Sequence, residues 1–257
     1  RLTSCKGAIP LSTTLDTACA MTRSVRDAIT LHEVLAVRAA RLTHRPLEGW
    51  RLALPRTTML DEMDATVSAA FEAALTALRA QGARIIEIGL PELREPSQIQ
   101  STGGFSAAES WSWHRKLLNE RGDRYDPRVA ARIRRGEQMS AADYIELQRA
   151  RTAWISRVED TLCGFDALLS PTVPIVAPSI ASIATDDAEF FRVNGLLLRN
   201  PSVVNMLDGC ALSLPCHAPH QLPVGLMVWS TALRDDTVLD ISLDLEAALA
   251  NITGRGL

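Results

Sequence analysis

The stretch RLALPRTTMLDEMDATVSAAFEAALTALRAQGARIIEIGLP, residues 51–91, predicts a strand, a helix and a second strand in immediate succession. Residues 51–55 form a short apolar run of strand length. Asp64 can cap a helix that ends at Gly82 and whose apolar positions recur every three or four residues, at Val67, Phe71, Leu75 and Leu78. Residues 83–91 are a β-branched run closed by a proline. A strand, a helix and a strand with tight links indicate a βαβ unit and a parallel pair of strands.

The middle of the chain is predicted to be helical. Helices are expected over residues 105–119 and near residues 127–134. A long helix opens at Ser140 and Asp143, which have the spacing of a capping box, and Gly164 ends it. Its apolar residues fall on one stripe, at Leu147, Trp154, Val158 and Leu162.

The last third returns to strands. The stretch FDALLSPTVPIVAP, residues 165–178, predicts a buried strand that runs into a proline-rich loop. Further strands are expected at residues 211–215 and 225–230, and a final helix from Asp235 to about residue 250. Because strands and helices alternate at both ends, the fold class predicted is α/β, with a mixed, largely parallel sheet covered by helices.

The composition narrows the possible partners. The chain has 257 residues, 47% of them apolar, and can bury a sizeable core. Its formal net charge of -3 is spread along the sequence, so neither a nucleic-acid face nor a membrane surface is expected. No apolar stretch approaches the roughly 20 residues that span a bilayer. Five scattered cysteines without a CxxC pair favour reduced thiols and therefore the cytoplasm.

A search for chemistry finds no complete catalytic set. The Ser101–Gly104 segment is small and polar, but a turn leading into a helix explains it better than a phosphate loop. Cys216, His217 and His220 lie in a proline-rich loop without a second ligand cluster, so no metal site is predicted. Asp16 stands among small residues and is expected to accept backbone hydrogen bonds.

Four blocks of the chain, taken in order, resemble the amidase signature family of serine hydrolases. The segment GAIPLSTTLDTACAMTRSVRDA resembles the family's G-x-x-P-L-S-x-S-L-D-x-x-G-P-x-x-R-S-V-x-D, with Asp16 and Arg23 among the matching positions. The segment around Arg132 and Tyr144 is similar to the family's helical R-I-x-x-G-x-x-x-x-A-x-D-Y. FDALLSPTVPIVAP and NMLDGCALSLPC, followed by LPVGLMV, resemble the two closing blocks.

The resemblance implies an amidase-signature fold and cleavage of a small carboxamide C–N bond without a cofactor. The family's Ser-cisSer-Lys triad precedes the first of these blocks, and neither Lys6 nor Lys116, the only lysines, matches the family lysine. No catalytic residue is therefore assigned. Residues 1–257 are expected to be the C-terminal portion of a single amidase-signature domain, whose N-terminal catalytic segment supplies the nucleophile.

Substrate-binding candidates are Arg132, Trp111 and Asn205, while Asp16 and Arg23 are assigned to the structural motif. Each candidate has a plainer explanation. Arg132 could pair with a carboxylate on a neighbouring helix, Trp111 could pack in the core, and Asn205 could satisfy loop backbone. The alternatives for function are an amidotransferase A-type subunit that releases ammonia from glutamine and a non-catalytic scaffold protein. A homodimer is left open.

Overall fold

The computed structural model describes residues 2–254, which form one five-stranded sheet flanked by helices. The strands are β1 (Arg51–Pro55), β2 (Arg84–Ile88), β3 (Ala167–Pro171), β4 (Cys210–Pro215) and β5 (Gly225–Ser230). The helices are α1 (Val25–Ala36), α2 (Ala65–Ala80), α3 (Glu95–Ile99), α4 (Gly104–Arg121), α5 (Pro127–Arg134), α6 (Ala141–Leu162), α7 (Ile180–Ala184), α8 (Asp187–Met206) and α9 (Asp235–Thr253). Within the described residues, no helix is both long enough and apolar enough to cross a bilayer.

The strand order is β2-β1-β3-β5-β4, and four of the five strands point the same way. Strand β1 pairs in parallel with β2, as the βαβ pattern predicts, and its other neighbour, β3, is parallel to it as well. Only β5 is reversed. It follows β4 after a short loop, and a short connection between neighbouring strands makes them antiparallel. The prediction of a mixed, largely parallel sheet is confirmed. In this order β4 lies at one edge, where β5 is its sole partner among residues 2–254.

Two apolar layers cover the sheet. Phe71 and Leu75 of α2 pack on one face together with α9, and Trp154 and Val158 of α6 pack on the other together with Trp229 of β5. All five residues of β3 are buried, because the strand is central and covered on both faces. The two edge strands, β2 and β4, are the least buried parts of the sheet.

Helices α2 and α6 begin where the sequence predicts, and a side chain caps each of them. Asp64 Oδ1 accepts from the Val67 amide at 2.7 Å, and Oδ2 accepts from the Val176 amide at 2.7 Å. The same carboxylate thus begins α2 and ties down the loop that follows β3. Ser140 and Asp143 form the reciprocal capping box at the start of α6.

Candidate functional site at the free sheet edge

A cavity of about 1040 Å³ opens along the free edge of β4 and is called here the cleft. Every residue of β4 lines it. The other walls are the end of α8, the first turns of α9, part of α1, and the extended residues 11–24, which we call the strap. The cleft is thus built by segments from both ends of the chain.

The strap is shaped by Asp16. Its Oδ2 accepts from the Leu11 amide at 3.0 Å and its Oδ1 from the Ser12 amide at 2.9 Å. The Asp16 amide in turn donates to the Ser12 carbonyl at 2.7 Å. These bonds close a tight turn, in which the carboxylate replaces backbone partners.

Glu109 of α4 holds the same turn from outside. Its carboxylate accepts from the Ser12 hydroxyl at 2.5 Å, the Thr14 amide at 2.9 Å, the Thr14 hydroxyl, and the Tyr144 hydroxyl at 2.5 Å. Our sequence reasoning did not select Glu109. It lies 95 residues from Thr14, so no local spacing connects the two.

Asn205 lines the cleft but is already hydrogen-bonded to the strap. Its Nδ2 donates to the Leu15 carbonyl at 2.7 Å. Arg151 lies beside it, where its Nε donates to the Met206 carbonyl at 2.8 Å and its Nη2 lies 2.7 Å from Asp208 Oδ1. Asn205 and Arg151 therefore each hold a backbone carbonyl beside the cleft, which is the plainer role considered for Asn205.

The other predicted site residues lie elsewhere or at the rim. Arg23 is exposed and lines the cleft. Arg132 is exposed on α5 and makes no ion pair with any residue from 2 to 254. Trp111 is half-buried on α4, next to Gly136. The structure brings Asn205 and Arg23 to the cleft, and it leaves Arg132 and Trp111 outside the cavity walls.

A nucleophile with its base is not assembled within residues 2–254. The hydrogen bonds among these residues join no serine, threonine or cysteine side chain to the side chain of a histidine or lysine. Ser213 shares a hydrogen bond only with the Thr172 hydroxyl, at 2.6 Å, and His114 pairs with the Tyr125 hydroxyl at 2.8 Å. Burial raises the pKa of the Cys210 and Cys216 thiols to about 12, which keeps both neutral near pH 7.

These thiols give a first prediction. With iodoacetamide at pH 8, we expect the exposed Cys163, which lies outside the cleft, to be alkylated well before Cys216, because the thiolate is the reacting form and burial suppresses it. Because its pKa is raised, the Cys216 thiol stays protonated, and therefore unreactive, until the pH approaches about 12. Peptide mapping by mass spectrometry measures the order. Alkylation of Cys216 as fast as Cys163 would contradict the buried position.

Three exposed apolar side chains line the cleft. Met21 of the strap is 100% exposed, Leu35 of α1 is 39% exposed, and Leu233, just before α9, is 66% exposed. The edge of β4 that has no strand partner among residues 2–254 lines the same cavity. Neighbouring exposed apolar side chains and a free strand edge are features that folded proteins normally cover.

The fold and the site together define a helix-flanked α/β protein whose main cavity lies at an open sheet edge. A solved structure described as an amidase superposes with a TM-score of 0.80 and 29% identity, over 95% of this chain and 56% of that chain. The sequence matches the family described as Amidase over residues 1–239, and the chain belongs to the amidase family.

Curated relatives point to the same family. A 2-amino-5-chloromuconic acid deaminase of Comamonas testosteroni is 31% identical over 95% of this chain and 54% of its own length. An indoleacetamide hydrolase of Agrobacterium vitis is 30% identical over 94% of this chain and 56% of its own length. The chain therefore spans about half the length of these relatives.

Proposed function

We propose that the whole protein hydrolyses the C–N bond of a small carboxamide to a carboxylate and ammonia or an amine. In this proposal residues 1–257 supply the scaffold and one wall of the substrate pocket. Family membership supports it, as does the similarity to an indoleacetamide hydrolase. The observation that carries it is the cleft: a large cavity at a free strand edge, with the exposed apolar side chains of Met21, Leu35 and Leu233 in its walls.

Amide hydrolysis needs an activated nucleophile, a base that receives its proton, and amide N–H groups that stabilise the oxyanion. The family resemblance places these in a Ser-cisSer-Lys triad, and the two lysines of this chain do not match its lysine. We propose that an N-terminal catalytic segment of the same protein supplies the triad and rests on the cleft. Such a segment would pair with β4 and cover Met21, Leu35 and Leu233.

Substrate contact by Arg132, Trp111 and Asn205 remains a proposal. Asn205 lines the cleft, so it is near the expected pocket; Arg23, which is assigned to the structural motif, lines the cleft as well. Trp111 and Arg132 would meet substrate only if the catalytic segment extends the pocket toward α4 and α5. The free cysteines among the described residues support the cytoplasm as the location.

The test measures ammonia release by the full-length protein, which is residues 1–257 together with the proposed N-terminal catalytic segment. The panel contains an aryl acetamide, an aliphatic amide and glutamine, each followed over time by an ammonia assay. We expect turnover of one or both simple amides and little turnover of glutamine. Turnover of glutamine alone would favour an amidotransferase subunit, and no turnover of any amide would favour a non-catalytic scaffold.

A further inference from the structure

Glu109 collects four hydrogen-bond donors from two separate parts of the chain. Its Oε2 accepts from the Ser12 hydroxyl at 2.5 Å and the Thr14 amide at 2.9 Å. Its Oε1 accepts from the Tyr144 hydroxyl at 2.5 Å and from the Thr14 hydroxyl. Three donors come from the strap and one from α6, so a single carboxylate joins the strap to two helices.

The environment favours the ionised carboxylate. Partial burial raises the pKa of Glu109, but the donors from Ser12, Thr14 and Tyr144 outweigh burial, and the pKa lies below its usual range. Within residues 2–254 no ion pair involves Glu109, so hydroxyl and amide donors provide the compensation. Hydrogen bonds to a charged acceptor are stronger than neutral ones.

The strap is held at consecutive residues from opposite sides. Glu109 binds Ser12 and Thr14, and Asn205 donates to the Leu15 carbonyl at 2.7 Å. Thr13, Thr14 and Leu15 all line the cleft. The position of this cavity wall is thus set by a side chain, Glu109, that is not itself among the residues lining the cavity.

We propose that Glu109 is a positioning residue, which holds strap residues 12–15 as a fixed wall of the amide-binding pocket. That the cleft binds an amide rests on the proposed function. The attachment of the strap to Glu109, which we call the clamp, rests on the hydrogen bonds alone. A displacement of about 1 Å in a positioning element can cost about 100-fold in rate. Release of the strap should therefore weaken substrate use without removing any reacting group.

The test compares four variants of the full-length protein. Glu109→Ala removes every acceptor, Glu109→Gln keeps one carbonyl oxygen and the side-chain shape, and Tyr144→Phe removes only the donor from α6. Glu120→Gln is the matched control, because Glu120 is exposed on the same helix and has no described side-chain partner. Amide hydrogen exchange over residues 9–20 reports the strap, and steady-state kinetics on the best amide report the pocket.

We expect strap exchange to be at least about 10-fold faster in Glu109→Ala and kcat/KM to fall about 10-fold to 100-fold, chiefly through KM. Glu109→Gln should restore part of both, and Glu120→Gln should match the parent. If Glu109→Ala does not fold, the Gln and Phe variants still decide, since each removes fewer bonds.

The outcomes distinguish failure of the clamp from failure of the proposed amidase function. Unchanged strap exchange in Glu109→Ala and Glu109→Gln would overturn the clamp. Faster exchange with unchanged kcat and KM would overturn the positioning role. If the parent protein hydrolyses no amide, the proposed function fails, and strap exchange alone decides whether Glu109 holds the strap.

Discussion

Replacing Gly136 by alanine is expected to lower the free energy of unfolding by roughly 3 kcal/mol, the upper end for overpacking. A Cβ at this position would lie 2.1 Å from the Ala107 carbonyl oxygen and 2.7 Å from the Trp111 Cβ. Gly136 is buried in the 3-10 turn Arg135–Gln138, where it touches the backbone of α4. Because a backbone atom cannot swing aside, α4 and this turn must move apart.

For a chain of this size, a change of this magnitude corresponds to a fall of about 6–12 °C in the midpoint of thermal unfolding. Calorimetry or circular dichroism at 222 nm measures the shift. Gly195→Ala is the matched control, since Gly195 lies in α8 with open space around its Cβ position. There alanine should be neutral or stabilising by up to about 1 kcal/mol. Equal midpoints for the two variants would contradict the contact between α4 and the turn.

The same substitution should disturb the predicted substrate contacts. Trp111 lies directly against Gly136, and α5, which carries Arg132, immediately precedes the turn. If Trp111 or Arg132 contacts substrate, Gly136→Ala should raise KM even at a temperature where the variant is folded.

Met21→Asp is expected to lower amide turnover of the full-length protein by about 100-fold or more. Met21 is 100% exposed in residues 2–254 and lines the cleft, so an aspartate there should leave this part of the fold unchanged. A catalytic segment resting on the cleft would bury the carboxylate without a partner. Burial of an unpaired charge costs several kcal/mol, and about 2.7 kcal/mol corresponds to the 100-fold loss.

Ile180→Asp provides the control. Ile180 is also apolar and 85% exposed, but it lies on α7, outside the walls of the cleft. Its variant should keep full turnover and the parent's unfolding midpoint. If Met21→Asp and Ile180→Asp behave alike, the cleft is not the docking surface for a catalytic segment.

Most strands of the sheet could be predicted from sequence, because the pattern that defines each strand lies within a few neighbouring residues. The strands at residues 51–55 and 225–230 match the predicted bounds, and β2, β3 and β4 lie within or beside the predicted runs. Asp64 and Ser140 begin helices for reasons that lie within three residues of each. The pairing of β1 with β3 and the position of β5 between β3 and β4 required long-range information.

Four helices, α1, α3, α7 and α8, were not predicted, and the two longest of them were missed for identifiable reasons. Helix α8 contains Gly195 and Pro201, residues that ordinarily weaken or break a helix. Tertiary contacts offset this: Asn200, fully buried, donates to the Met59 and Pro171 carbonyls at 2.9 and 2.8 Å. Helix α1 begins at Val25 and is capped by Ser24, inside the segment that carries the first family motif, where no helix is predicted.

The site was less predictable than the fold because it joins distant segments. Asn205 was selected, yet its bond to Leu15 spans 190 residues and was not foreseen. Glu109 was not selected at all, since its partners Ser12 and Thr14 lie 97 and 95 residues away. A carboxylate whose donors are that far away has no local pattern.

The most direct test of the account is to find the nucleophile. The full-length protein is treated with a serine-directed sulfonyl fluoride until amide turnover stops, and the modified peptide is mapped by mass spectrometry. The account predicts a single sulfonylated serine outside residues 1–257, with loss of turnover in proportion to labelling. Inactivation through a serine within residues 1–257, such as Ser170 or Ser213, would contradict it, because the nucleophile would then belong to this chain.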